Sequence, residues 1–143
     1  MVPDSALFVA ADEPLLVFPS VKAAERWLEA IDVENGVYRA AYGPHGEPFS
    51  IAREHNRVTI EKTGAPNRPD ELKALLLRYL EATGQPVDAT AALQELVATA
   101  WAIESNFWKE HDPYSDRFGT PIPLWGCIAF VIVATLALYL AFR

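Results

Sequence analysis

The chain has 143 residues, a formal net charge of -7 at pH 7 and one cysteine, Cys127. This acidity excludes the Lys- and Arg-rich surface that gives proteins their general affinity for nucleic acid, so we expect no nucleic-acid partner. A single cysteine excludes an intramolecular disulfide and a metal site built on paired cysteines.

Two short apolar runs at the start, Ala6 to Ala10 and Leu15 to Phe18, predict two strands joined by a turn. Ser20 then occupies a position typical of a helix N-cap. An amphipathic helix of about ten residues is predicted after it, because apolar side chains recur at helical spacing. These side chains are Val21, Ala24, Trp27, Leu28 and Ile31.

The turn signal Asn35-Gly36 separates this helix from three further predicted strands. The strands are Val37 to Tyr42, Pro48 to Arg53 and Arg57 to Thr63. Short turns between them predict an antiparallel meander of three strands. In the last of them, apolar and polar residues alternate, which predicts one face toward solvent.

Two long helices are predicted next. The first begins at Asp70-Glu71, where negative charge suits the helix dipole, and ends at Gly84. Its apolar stripe is Leu72, Leu75, Leu76, Tyr79 and Leu80. The second begins after Asp88 or Thr90. Its predicted stripe is Leu93, Leu96, Val97, Ala100, Trp101, Ile103 or Glu104, and Phe107.

The segment from Ile122 to Phe142 has no charged residue and, as a helix, would be about 31 Å long, close to the thickness of a bilayer. It predicts a transmembrane helix, with Trp125 and Tyr139 as anchors at the lipid interfaces. The expected fold class is therefore α+β, a small antiparallel sheet with packed helices followed by one C-terminal transmembrane helix. We expect a soluble domain at 1–110, a connector at 111–121 and the span at 122–142.

Orientation follows from the basic residues beside the predicted span. Lys109 and Arg117 precede it and Arg143 follows it, which favours a cytoplasmic N-terminal domain. The first residues lack the basic start of a secretory signal. The lipid bilayer is thus an expected partner. Small residues at Ala134, Ala137 and Ala141 share one helix face and would permit a helix–helix oligomer.

Catalytic and metal-binding patterns are not evident. His45 and His55, or the cluster Glu110-His111-Asp112, lack the spacing of known metal motifs. Ser50 and Ser105 lack the G-x-S-x-G context of a nucleophilic serine. We therefore expect no enzyme activity, no cofactor and no metal.

Four carboxylates cluster near the end of the first predicted helix: Glu25, Glu29, Asp32 and Glu34. They are either a solvated face or an acidic surface that meets a basic partner. Aromatic side chains leave a similar choice. Trp108 belongs either to the core and a membrane interface or, with Tyr38 and Tyr42, to a partner-binding patch.

The segment LLVFPSVKAAERWLEAIDVENGVYRAAYGPHGEPFSI, Leu15 to Ile51, resembles small bacterial immunity proteins encoded beside polymorphic toxins, including toxins delivered by type VI secretion. The shared features are a strand, the helix start P-S-V-x-A-A-E, the run L-E-A-I-D-V-E-N-G, a Tyr-bearing strand and a G-P-x-G turn. This resemblance implies a non-catalytic protein that binds and neutralises one cognate toxin. The carboxylate cluster Glu25, Glu29, Asp32 and Glu34 favours a toxin with a basic surface. Together with the predicted span, it suggests a single-pass protein of the bacterial inner membrane. The alternative is an adaptor or structural subunit of an inner-membrane complex, assembled through the span.

Overall fold

The structure, a computed structural model, describes residues 1–12 and 14–111. Within these ranges, five strands and four helices follow one another along the chain. The strands are β1 (Leu7–Ala10), β2 (Leu16–Phe18), β3 (Ala40–Tyr42), β4 (Pro48–Glu54) and β5 (Arg57–Lys62). The helices are α1 (Val21–Trp27), α2 (Ala30–Glu34), α3 (Pro69–Ala82) and α4 (Leu93–His111).

All five strands belong to one antiparallel sheet in the order β2-β1-β3-β4-β5. The predicted N-terminal strand pair and the predicted meander are joined, because β1 pairs with both β2 and β3. Phe8 lies opposite Val17 on one side and opposite Tyr42 on the other. The sequence does not predict this pairing, because β1 and β3 are about thirty residues apart and turn signals act only between neighbouring strands.

The central feature of the core is β1, whose four residues are all buried. Phe8 and Ala10 pack with α3 and α4 on one face of the sheet. Leu7 and Val9 pack with α1, β5 and Trp108 on the other face. Helices therefore cover β1 on both faces, and its unbroken apolar sequence reflects this double burial.

The N-terminus of α1 was predicted correctly, since Ser20 is the N-cap and its Oγ accepts a hydrogen bond from the Ala23 N–H at 3.1 Å. The predicted length was wrong. Leu28 is extended, with φ -74° and ψ 138°, so the helix stops and α2 begins separately at Ala30. This break leaves Trp27 and Ile31 46% and 53% exposed, although the continuous stripe predicted both as buried.

The two long helices pack against each other and against the sheet. The predicted stripe of α3 is confirmed, because Leu72, Leu75, Leu76, Tyr79 and Leu80 are all buried. In α4, Leu96, Val97 and Ala100 are buried as predicted. Its last turns differ from the prediction. Trp108 is only 6% exposed, whereas Phe107 is 40% exposed.

Side chains from distant helices satisfy backbone groups on both outer strands of the sheet. On β5, the Ile60 N–H donates to the Glu25 carboxylate at 2.9 Å. On β2, the Val17 C=O accepts a hydrogen bond from the Trp108 indole N–H at 2.7 Å. Unpaired groups on an outer strand invite pairing with another chain, so these contacts protect both edges.

In the part of the chain that the structure describes, no helix is long and apolar enough to cross a membrane. The longest, α4, carries Glu95, Glu104, Lys109 and Glu110 among its 19 residues. This finding corrects the fold class and the inner-membrane localisation predicted from the sequence. The observed fold is α+β with a five-stranded antiparallel sheet, and we retain neither the transmembrane helix nor the membrane localisation.

Several sequence-based predictions fall outside the described residues. They concern positions 112–121 of the connector, the span at 122–142, and the side chains Trp125, Tyr139, Ala134, Ala137 and Ala141.

Gly46 joins the turn after β3 to the start of α3. Its C=O accepts a hydrogen bond from the Arg68 N–H at 2.7 Å, and its φ is +83°. A Cβ at this position would lie 2.7 Å from the Pro69 nitrogen and 2.8 Å from the Arg68 carbonyl carbon. Because both neighbours are backbone atoms, the contact could be relieved only by moving α3 away from the turn.

We therefore expect Gly46→Ala to destabilise the fold more than Gly84→Ala does. Both glycines have positive φ, a conformation that costs a residue with a Cβ about 1–2 kcal/mol. Only at Gly46 would the new methyl group also clash, adding about 1–3 kcal/mol, since nothing lies within 4 Å of a Cβ at Gly84. Denaturant unfolding of the full chain measures both losses, and equal losses would contradict the close approach.

Candidate functional site

A groove of about 610 Å³ runs along β2, between the ends of α1 and α3 and the C-terminal half of α4. We call it the β2–α4 groove. Its lining includes Trp27, Tyr38, Tyr79, Glu104, Phe107 and Trp108. A cleft of this size that combines aromatic walls with a few polar groups has the usual features of a binding site.

Aromatic rings form a connected cluster in this groove. Trp27 stacks on Phe107 with centroids 5.7 Å apart and planes at 21°. Trp108 lies edge-on to both rings, at 5.5 Å from Trp27 and 5.1 Å from Phe107. His111 stacks on Phe107 at 4.3 Å, one turn further along α4. The cluster extends from the buried indole of Trp108 to the exposed rings of Trp27 and Phe107.

Two local features place these rings. Successive residues of a helix point about 100° apart, and here Trp108 points toward β2 while its neighbour Phe107 is 40% exposed. The hydrogen bond from Trp108 to the Val17 C=O fixes that rotation. At the other wall, the extended conformation of Leu28 ends α1 at Trp27.

Two tyrosines of the groove donate hydrogen bonds to carboxylates. The Tyr79 hydroxyl donates to Glu104 Oε1 at 2.5 Å. The Tyr38 hydroxyl donates to Asp32 Oδ2 at 3.3 Å and accepts from the Glu29 N–H at 3.4 Å. Burial is the main cause that raises the pKa of both phenols, and the neighbouring carboxylates raise each pKa further. Both hydroxyls therefore keep their protons at neutral pH and act as donors.

The predicted acidic cluster is mostly engaged in contacts within the chain. Glu25 accepts from the backbone of β5, Asp32 accepts from Tyr38, and Glu34 forms an ion pair with Arg53. Glu29 is exposed, and its carboxylate has no hydrogen bond or ion pair with the described residues. Of the four carboxylates, only that of Glu29 lacks a hydrogen bond or ion pair with the described residues, and it is exposed to solvent.

The predicted aromatic patch is brought together only in part. Tyr38 and Trp108 both line the β2–α4 groove, but Trp108 is buried and holds the sheet edge. Tyr42 is 4% exposed and belongs to the core under α3, where its hydroxyl donates to Glu71. The surface position predicted for Tyr42 is therefore corrected, and of the two alternatives left open for Trp108 the structure has the core position.

The groove's chemistry suits binding of a positively charged or apolar group. Glu104 is the one charged residue among its described lining residues. Across residues 1–12 and 14–111, no three His, Cys, Asp or Glu side chains lie where they could hold a metal ion. A carboxylate attracts cations, and the aromatic and aliphatic side chains of the lining suit an apolar group.

Sequence analysis did not select Trp27, Tyr79, Glu104 or Phe107 as site residues. The sequence does contain a signal for Glu104. This residue occurs at helical spacing with Val97, Ala100 and Trp108, so it shares their face of α4. A carboxylate on a buried stripe needs a donor, and Tyr79 on the preceding helix could supply one. The exposure of Trp27 had no comparable local signal.

Comparisons with models of protein families, with curated proteins and with solved structures find no match to this chain. The resemblance of Leu15 to Ile51 to immunity proteins therefore stays a prediction.

Alkaline titration tests the buried phenols. Burial, followed by the hydrogen bond to Glu71, raises the pKa of Tyr42 to about 12, and burial with Glu104 also raises the pKa of Tyr79. The neutral phenols are favoured in the folded state, so their contribution to stability is complete below pH 10 and is lost as pH rises toward 12 and beyond. Tyrosinate absorbance should show a late step that Tyr42→Phe with Tyr79→Phe removes. An unchanged titration curve in this double variant would contradict the burial.

Proposed function

We propose that this chain is a non-catalytic binding protein that neutralises a cognate protein toxin, as the resemblance of Leu15 to Ile51 implies. The observation that carries the proposal is the stacked and exposed ring pair of Trp27 and Phe107. Aromatic side chains dominate the binding energy of protein interfaces, and tryptophan is among the most enriched. Large apolar side chains that lie side by side at the surface form a patch of the kind that marks interaction sites.

The ring pair is held in place before any partner binds. Trp108 contacts both rings from below, and it is fixed by its own hydrogen bond to β2. Side chains that are already ordered lose less conformational entropy on binding. This supports a role as an anchor for a partner rather than as a flexible surface feature.

Charge supports a basic partner. The chain carries a net charge of -7, and Glu29 lies two residues after Trp27 with its carboxylate exposed. An acidic surface accelerates association with a basic protein and disfavours acidic ones. The unengaged Glu29 is the carboxylate best suited to this role.

The ionisable side chains of the groove also support binding rather than catalysis. Tyr38 and Tyr79 have pKa values raised by burial, so neither is poised to exchange a proton near neutral pH. Glu104 already accepts a hydrogen bond from Tyr79.

Because immunity proteins are encoded beside their toxins, the test uses the product of the neighbouring gene. We expect Trp27→Ala and Phe107→Ala each to weaken its binding by about 2 kcal/mol or more, roughly 30-fold in Kd, and to reduce protection of cells that express it. Val87→Ala is the control, because Val87 is 42% exposed on the loop after α3. Circular dichroism checks that each variant folds. Full protection and unchanged affinity in both ring variants would refute the proposed surface, and a neighbouring product that does not bind this chain would refute the function.

Glu29→Lys tests the charge separately. We expect slower association and an affinity loss that shrinks at high salt, because the new like charge is screened by ions. Glu61→Lys makes the same charge change at an exposed position of β5 and serves as the control. Asp32 is left unchanged because its carboxylate holds Tyr38. Equal effects of the two substitutions would mean that only net charge matters.

A further inference from the structure

We propose that Tyr38 is a positioning residue of the toxin-binding surface, because its hydroxyl fixes the break between α1 and α2 that exposes Trp27. The inference rests on the proposed function in one respect, that the surface ordered in this way binds the toxin. Tyr38 itself is half-buried in the wall of the β2–α4 groove. It acts through Trp27 and Glu29, and it makes no contact with the partner.

The local sequence does not favour a break between α1 and α2. Ala24, Trp27, Leu28 and Ile31 have the spacing that puts side chains on one face of a continuous helix. In the structure Leu28 is extended and 6% exposed, whereas Trp27 and Ile31 are 46% and 53% exposed. Contacts with other parts of the chain therefore separate the two helices. The burial of Leu28 in the core is one of these contacts.

The second contact is a hydrogen bond from the backbone at the break to Tyr38. In a continuous helix the Glu29 N–H would donate to the C=O of Glu25, four residues earlier. Here it donates to the Tyr38 hydroxyl at 3.4 Å. The phenol oxygen thus satisfies a backbone group that loses its helical acceptor at the break. It comes from outside both helices, from the segment that leads into β3.

The same hydroxyl completes the N-terminus of α2. Glu29 is the N-cap, its own side chain makes no capping hydrogen bond in the described part of the chain, and Asp32 is the third residue of the helix. In a capping box, a Glu or Gln at this third position accepts directly from the N-cap N–H. Asp32 is one methylene shorter, and the Tyr38 hydroxyl lies between the two groups and donates to Asp32 Oδ2 at 3.3 Å. Burial raises the pKa of Tyr38, so the hydroxyl keeps the proton that this relay requires.

Trp27 and Glu29 flank the extended residue that this relay fixes. Leu28 between them belongs to the core cluster that contains Trp108, so the backbone direction at Leu28 decides where its two neighbours point. In this arrangement Trp27 stacks on Phe107 with centroids 5.7 Å apart. Loss of the relay should therefore disorder Trp27 and weaken binding, although no group that contacts the partner has been removed.

The first measurement uses the full chain and needs no toxin. Tyr38→Phe keeps the ring and removes the hydroxyl. By NMR we expect the backbone carbon shifts of Leu28 to move from extended toward helical values and the Trp27 indole N–H to lose order. The Glu29 amide hydrogen should exchange about 5-fold faster, as for the loss of one hydrogen bond. Tyr42→Phe is the matched control, because it removes another hydroxyl that donates to a carboxylate and should leave these signals unchanged.

The second measurement is rescue by Asp32→Glu in the Tyr38→Phe background. The substitution adds one methylene where one oxygen is lost, so the longer carboxylate can accept directly from the Glu29 N–H in an ordinary capping box. We expect the Leu28 and Trp27 signals to recover. Affinity for the product of the neighbouring gene should fall about 5-fold in Tyr38→Phe and return in the double variant.

Asp32→Ala removes the other half of the relay and keeps the tyrosine. It should shift the Leu28 and Trp27 signals in the same direction as Tyr38→Phe does, so the test does not depend on the folding of one variant. Circular dichroism checks the fold of each protein.

Unchanged Leu28 and Trp27 signals in both Tyr38→Phe and Asp32→Ala would overturn the inference. An affinity loss that Asp32→Glu does not restore would also overturn it, because Tyr38 would then contact the toxin itself. Unchanged affinity in a variant with a disordered Trp27 would separate the break from binding and contradict the positioning role. If the NMR signals respond and recover as expected but the neighbouring product does not bind the parent chain, the proposed function falls while Tyr38 still fixes the break.

Discussion

The rest of the structure depends on the burial of β1 on both faces of the sheet. Leu7 and Val9 require cover from α1 and its neighbours, and Phe8 requires cover from α3 and α4. The two helical layers meet beyond β2, the outer strand next to β1, where Trp27 of α1 stacks on Phe107 of α4. The β2–α4 groove lies where the ends of these helices approach that strand without filling the space between them. It is a consequence of how the core is covered.

The contacts that protect the outer strands of the sheet are linked to the exposed aromatic ring pair of Trp27 and Phe107. An outer strand leaves backbone groups unpaired, and here Trp108 and Glu25 reach those groups from helices that are 91 and 35 residues away in sequence. Trp108 turns inward to bind β2, and its neighbour Phe107 is exposed and meets Trp27. The same contact that protects the sheet from pairing with another strand thus exposes the rings that we propose as anchors for a partner.

Local signals in the sequence were sufficient for several elements, because the contacts that stabilise them lie within a few residues. Examples are the Ser20 N-cap of α1, the apolar stripe of α3 and the solvent-exposed face of β5. The break at Leu28 and the exchanged positions of Phe107 and Trp108 depend on contacts with other segments, which periodicity does not contain. The predicted transmembrane fold class rested on an apolar run alone. Of the residues that line the groove, the sequence selected Tyr38 and Trp108, but it missed the exposed ring pair and Glu104 for the same reason.

Glu104 shows how the fold and the site constrain each other. A leucine at this position would continue the apolar stripe of α4 without requiring any partner, whereas the half-buried carboxylate accepts a hydrogen bond from Tyr79. Tyr79 lies on α3 and is only 5% exposed, so this bond joins the two long helices at residues that both line the groove. Glu104 is also the one charged residue among the described lining residues, so a side chain that links α3 to α4 also sets the charge of the groove.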